Sequence, residues 1–304
     1  MANEILISDL KTNGGAVAEV LSGLIQDALF DATDLRSVCK LVPYSAIGSN
    51  VMAVTIDEAP GAFASTGEAA SVANSAYTTD EFLLTVSKYA RAYELSDLVA
   101  IGSSAIDLDR MVSNLSQGVA LTMTDLITGT FGSFTNTVGS TGVNLSIDDI
   151  YSGFYKLISQ LNSGPYTCVL SPTQFNDMLA SLRSESGAVQ YVPATAEMLA
   201  SKGTSFRGTW QGCDFYVSDS VPTANAGADD NGLMFGADAI GYTMAPVSLL
   251  QGHVPASNIL VDAGELLVEL YRDSYGGQTA AIATMYPGAA LIDNGRGVGI
   301  VTDH

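Results

Sequence analysis

The chain has 304 residues, 47% of them hydrophobic and only 14% charged, with 12 Lys+Arg against 32 Asp+Glu for a formal net charge of −20. That length builds two sizeable cores or one elongated domain of two lobes. The charge excludes gripping nucleic acid or an anionic membrane through a basic face, because phosphate contact needs clustered Lys or Arg; no basic residue lies between Lys40 and Lys88 or between Arg207 and Arg272.

The N-terminal stretch MANEILISDLK has no basic region before an apolar one, so no secretory signal is read there. No window approaches the ~20 apolar residues of a membrane span. Cys39, Cys168 and Cys213 are an odd number without metal-ligand spacing, and the last two sit in strand-like apolar runs where a free thiol is ordinary. These features fit a soluble chain made in a reducing cytoplasm. Val17, Val20, Leu21, Leu24, Ala28 and Leu29 share one helical face, with Asn13 as N-cap. An arm carrying this helix is expected over residues 1–45.

From Asp57 to Glu81 the chain is made almost wholly of small and polar residues. It holds several acids, no Lys or Arg, and Phe63 as its only bulky apolar side chain. Structureless stretches of this length are uncommon in compact domains and are usually functional or ordered by something else. Val51 to Ile56 and Phe82 to Tyr93 read as the antiparallel strands that carry it, and ten strand residues would take the tip ~30 Å from the body. Such an arm is built to lie on a neighbouring copy.

Ser104 and Asp107 resemble a capping box. Leu108, Met111, Leu115, Val119, Met123 and Leu126 then recur at three-or-four spacing, which predicts a long amphipathic helix over 105–131. After a Gly/Thr/Ser-rich loop, helices and strands alternate. Ser146 caps a helix with Ile150, Phe154, Leu157 and Leu161 inward, and Tyr166 to Leu170 is a buried strand. Pro172 opens a helix with Phe175, Met178, Leu179 and Leu182 inward. A short helix over Ala194–Ala200 and strands near Cys213–Ser218 and Gly232–Phe235 complete an α/β lobe. Ile259 to Asp273 and Gln278 to Tyr286 predict a long hairpin about a Tyr-Gly-Gly turn, and Ala289 to Val301 a further strand. The hairpin needs a surface, and the 105–131 helix supplies one.

Catalytic chemistry finds little support. The only histidines are His253, isolated in a Gly/Pro loop, and His304, so His-rich metal sites and Ser/His/Asp triads lack their main ingredient. Gly295-Arg-Gly-Val-Gly299 opens no helix and reads as a Gly-rich closing strand rather than a phosphate loop. Asp229-Asp230-Asn231-Gly232 lacks the alternating acids of a calcium loop and reads as a turn. Asp148 and Asp149 suit a helix's first turn. Lys88, Arg91 and Arg110 are three of the few bases in the arm-and-helix region. They read either as solvated side chains or as intersubunit ion-pair partners for acidic arms, each exposed pair worth no more than ~1 kcal/mol.

The order of elements across the whole chain resembles tailed-bacteriophage major capsid proteins of the Hong Kong 97 type. The stretches YELSDLVAIGSSAIDL (93–108), VLSPTQFNDML (169–179) and LMFGADAIGYTM (233–244) carry the same flavour. The resemblance implies an α+β fold with five parts. These are an N-terminal arm (1–45), an extended loop (46–95), a first peripheral part with the spine helix (96–144), an axial domain (145–250) and a second peripheral part (251–304).

On that resemblance the chain is a non-enzymatic shell subunit, forming pentamers and hexamers of an icosahedral head around double-stranded DNA. An acidic subunit would not adhere to the packed genome. Phe63, Glu68, Lys88, Arg91 and Arg110 are the expected interface residues. No cofactor, metal or membrane is expected. Relatives with a built-in scaffold carry a long cleavable segment before the arm, and none is read here, so the resemblance implies either a separate scaffolding protein or an already processed chain; portal and decoration proteins are further partners. Two rivals are an encapsulin-like nanocompartment shell and an acidic surface-layer or adhesin protein.

Overall fold

The computed structural model describes residues 34–45, 49–57, 65, 76–77, 79–97, 108–160, 164–184, 191–247, 259–262, 266–273 and 275–304. The helix expected over 13–29, the cap at Ser104 and His253 lie outside the described residues.

The spine of the fold is the helix Leu108–Thr128, 21 residues and so about 30 Å long. Its core side consists of Leu115, Val119, Ala120, Met123 and Ile127. Of the expected stripe Leu115, Val119 and Met123 are buried, the side chains of Leu108 and Met111 lie outside the described residues, and at the end Ile127 rather than Leu126 is fully buried. Thr122, Thr124 and Thr128 donate their hydroxyls to the carbonyls four residues back at 2.8, 3.2 and 3.0 Å, so these polar side chains are satisfied within the helix itself.

Leu115 and Val119 pack on Leu266, Val268, Leu270, Ala281, Ala283 and Met285. The sheet beneath is antiparallel, in the order Ile259–Asp262, Leu267–Asp273, Gln278–Met285, Tyr89–Ser96. The expected hairpin therefore does lie on the spine helix, and distant parts of the chain form one lobe. One strand of it differs: Ile259–Asp262 doubles back on Leu267–Leu270, so the run expected from Ile259 to Asp273 is two strands, with Gly264 in the sequence between them.

The α/β lobe is an eight-stranded mixed sheet in the order Thr137–Val138, Gly297–Asp303, Asp229–Gly236, Tyr166–Leu170, Cys213–Val217, Phe206–Trp210, Val192–Pro193, with Thr223–Ala224 joined to Asp229–Gly236. Helices Ile147–Ser159 and Pro172–Ser184 cover one face through Phe154, Leu157 and Met178. Leu35, Ile127 and Phe131 cover the other.

Both helices begin with reciprocal capping boxes. Ser146 pairs with Asp149. At the second, Ser171 Oγ accepts from the Gln174 N–H at 3.1 Å, and Gln174 Oε1 accepts from the Ser171 N–H at 3.3 Å. The buried Gln174 amide also donates to Asp230 O, Ile300 O and Thr302 Oγ1 at 3.1, 3.0 and 2.9 Å, tying this helix to two central strands.

Two further expectations are corrected. Ala289–Val301 is not one strand of the spine-helix lobe. Pro287–Leu291 pairs with Ile240–Met244 in a small sheet with Lys40–Leu41, while Gly297–Asp303 lies inside the α/β sheet beside Asp229–Gly236. The turn expected at Asp229-Asp230-Asn231-Gly232 is also strand, with both aspartates buried. Tertiary partners override the local turn preference: Asp229 accepts from the Gly142 N–H at 2.9 Å and from Asn225 Nδ2, and Asp230 Oδ1 lies 2.6 Å from His304 Nδ1.

Candidate assembly interface

The excursion expected to reach a neighbour starts from the hairpin Val51–Asp57 and Thr79–Thr85, in register from Val51↔Thr85 to Asp57↔Thr79. Alternation gives it two faces. Met52, Phe82 and Leu84 are buried with Val42, Val86 and Ala245. Val51, Ala53, Thr55, Glu81 and Leu83 are exposed, Leu83 at 62%. Gly288 lets the hairpin backbone lie directly on the body, since a Cβ there would sit 2.5 Å from Thr85 O.

The strand expected from Phe82 to Tyr93 is two strands. Thr79–Thr85 belongs to the hairpin, whereas Tyr89–Ser96 pairs with Gln278–Met285 beside the spine helix. Between them the Val86 N–H donates to Asn50 O and the Ser87 N–H to Pro287 O. The base of the loop is thus docked on the body instead of projecting freely over all ten strand residues.

Tyr89–Ser96 brings Arg91 to the spine helix. Its guanidinium lies 5.2 Å from the Tyr93 ring centroid, and its Nη1 lies 3.8 Å from where a Cβ on Gly118 would stand. Gly118 helps shape a cleft of about 190 Å³ between helix and sheet, lined by Tyr89, Arg91, Leu115, Val119, Thr122 and Met285. The cleft has apolar walls and a cation at the side. Lys88 is exposed three residues before Arg91. Arg110 is in the first turn of the spine helix, with its side chain outside the described residues; Phe63 and Glu68 lie outside them altogether. Gly118 was missed from the sequence, although a glycine inside a helix costs about 1 kcal/mol relative to Ala and usually has a packing reason.

The sequence model of the family described as "Phage capsid protein" matches residues 79–300. The chain belongs to this phage capsid protein family. Solved structures agree in fold. The capsid of cyanophage P-SCSP1u superposes with a TM-score of 0.62 at 11% identity, over 90% of this chain and 89% of that one. The head of Helicobacter pylori bacteriophage KHP40 gives 0.61 at 10% identity, over 90% and 91%. The SrpI encapsulin of Synechococcus elongatus gives 0.60 at 13%, over 88% and 86%. No curated protein matches the chain by sequence. The fold is therefore of the Hong Kong 97 type, and the chain is a major capsid subunit with a structural role.

For a capsid subunit, what matters is which charges remain available to neighbours. Lys40 and Arg296 both engage Asp238, at 3.3 and 3.1 Å, and Arg296 also engages Asp293 at 3.1 Å. Lys202 pairs with Asp214 at 2.6 Å and Arg272 with Asp97 at 2.7 Å. These cations are directed to acids of their own subunit. The Gly295–Gly299 stretch is accounted for by packing: a Cβ on Gly297 would lie 2.1 Å from Phe134 Cε1. Among the described residues no group of three His, Cys, Asp or Glu side chains is placed to hold a metal ion, and no helix is long and apolar enough to cross a membrane. Burial pushes the Cys213 thiol well above its ordinary range and Cys39 up to about 12, which disfavours reactive thiolate at either position.

Proposed function

We propose that this capsid subunit assembles as pentamers and hexamers into an icosahedral head that encloses a double-stranded DNA genome. The observation that carries the reading is the hairpin Val51–Asp57/Thr79–Thr85, docked through one face and open on the other. Residues 46–88 form the loop that overlaps an adjacent copy. Tyr89–Ser96, the spine helix and 259–285 form the peripheral domain, and residues 137–247 with Gly297–Asp303 the axial domain. The acidic loop, bearing Phe63 and Glu68, meets Lys88, Arg91 and Arg110 of a neighbour. The apolar cleft beside Arg91 supports this pairing, because it offers both a cation and room for a side chain. A chain at −20 has little affinity for phosphate, so the genome is enclosed without being gripped. Assembly takes place in the host cytoplasm, with scaffolding, portal and decoration proteins as further partners.

Deletion of Gly61–Ala76 tests the loop's role. The expected product is a folded subunit, with the circular dichroism of the intact chain, that forms no closed shells in electron micrographs. Normal shells from the deletion would remove the loop from the assembly account.

A further inference from the structure

Two helices cover the same face of the eight-stranded sheet yet present opposite surfaces to solvent. Pro172–Ser184 turns Thr173, Asn176, Ala180 and Arg183 outward. Ile147–Ser159 buries Ile150, Phe154 and Leu157 and turns Tyr151, Tyr155 and Ile158 outward, at 45%, 74% and 59% exposure. Steps of four and three residues put these on one stripe along the helix. Tyr151 is fixed at one end, its ring edge-on to Trp210 with centroids 4.8 Å apart. Lys156 lies beside the stripe, donating from Nζ to Thr137 O at 2.5 Å.

We propose that the Tyr151/Tyr155/Ile158 stripe is a contact between α/β lobes of adjacent subunits, covered by the acidic lobe of a second copy of this chain. The inference rests on the shell-forming reading above and names side chains that would carry one of its contacts. Charge selects the occupant. Copies at −20 each repel one another, so they approach best where net negative charge is low: exposed Asp148, three residues before Tyr151 on the same face, is offset by the Lys156 ammonium beside the stripe. Area sets the kind of contact. A buried Tyr contributes roughly 150–250 Å², so the exposed parts of the three side chains offer on the order of 300 Å². That is below the roughly 800 Å² per partner of a free-standing complex, but it fits the apolar core of a contact repeated around a ring, with polar residues at its rim. Tyr is also a residue type in which interface energy concentrates. The loop hairpin and the Arg91 cleft are built on other elements, so this surface is separate from theirs.

The test is the double variant Tyr155→Glu/Ile158→Glu beside Tyr155→Phe, each compared with the wild type by sedimentation and electron microscopy. Both side chains are solvent-facing, so the double variant is expected to keep the wild-type circular dichroism spectrum and lose at least about tenfold in shell yield. Tyr155→Phe is expected to assemble normally. Shells from the double variant at wild-type yield would overturn the proposal while leaving the shell-forming reading intact. If the wild type itself forms no shells under any condition, that reading fails and the proposal with it. A photo-crosslinking amino acid at Tyr155 keeps the test decisive should the double variant misfold. In closed shells the crosslinked peptide is expected to come from residues 137–247 or 297–304 of another copy. A crosslink to a different protein, or none in closed shells, would overturn the proposal.

Discussion

Gly288→Ala directly tests how the loop hairpin is seated. The added Cβ would stand 2.5 Å from Thr85 O, 3.0 Å from Leu84 Cδ2 and 3.1 Å from the Thr85 carbonyl carbon. Two of those atoms are backbone, so no rotamer change relieves the clash; the hairpin must retreat by about an ångström to reach ordinary contact. Leu84 is fully buried, between Met52, Phe82 and Val86 on the hairpin and Val42 and Ala245 on the body. Overpacking a site of this kind costs about 1–3 kcal/mol. In a chain this size about 2 kcal/mol lowers the melting midpoint by roughly 4 °C. Gly236→Ala is the matched control, because a Cβ there meets nothing within 4 Å. In calorimetry of unassembled subunits at one scan rate, Gly288→Ala is expected to melt lower and Gly236→Ala to match the wild type within about 1 °C. The retreat also re-aims the loop, so shell yield should fall with Gly288→Ala alone. Equal midpoints for all three proteins would refute the seating argument.

Two other outcomes follow from buried polar groups. Gln174→Leu removes a capping-box partner and both amide N–H donors, which three acceptors share, and should cost about 2–4 kcal/mol in denaturant unfolding; Gln174→Glu retains the acceptor of the cap but not the donors, and should remain well below the wild type, so near-wild-type stability in either would contradict the assigned role. Hydrogen bonds from Asn225, the Gly142 N–H and Thr141 hold the Asp229 carboxyl below its ordinary value of 3.8, so its contribution is present above that value and lost as the pH falls through the lower folded one. Asp229→Asn should therefore flatten the acid limb of a stability-against-pH profile, and superimposable limbs would exclude Asp229 from the acid response.

Much of the architecture was legible because periodicity reports burial. The stripe from Leu115 to Met123, the capped helix at Ser146 and the strand Tyr166–Leu170 each follow from local pattern. Partner choice was not legible. Phe82 to Tyr93 is rich in Val, Thr, Phe and Tyr throughout, with no Gly or Pro to mark where the strand leaves the hairpin for the spine-helix sheet. Asp229-Asp230-Asn231-Gly232 carries every local sign of a turn, and pairing with Gly297–Asp303, distant in sequence, makes it a strand. At the interface, the bases were visible as rarities in an acidic chain, whereas the cleft depends on Gly118 and a sheet built from residues 89–96 and 278–285. The outward stripe had a signal that periodicity alone discards: in Ile150-Tyr151, Phe154-Tyr155 and Leu157-Ile158 each buried residue is followed by an exposed apolar one.

The central claim is that this chain builds a closed shell. Cryo-electron microscopy of the purified protein, expressed alone and with its neighbouring genes, tests it most directly. The expected result is icosahedral particles whose subunits, arranged in pentamers and hexamers, place the hairpin Val51–Asp57/Thr79–Thr85 against an adjacent copy, with nucleic acid inside particles that have packaged. A monodisperse monomer or dimer under every condition would contradict the account, and closed shells filled with a protein cargo would replace the viral head with a cellular compartment.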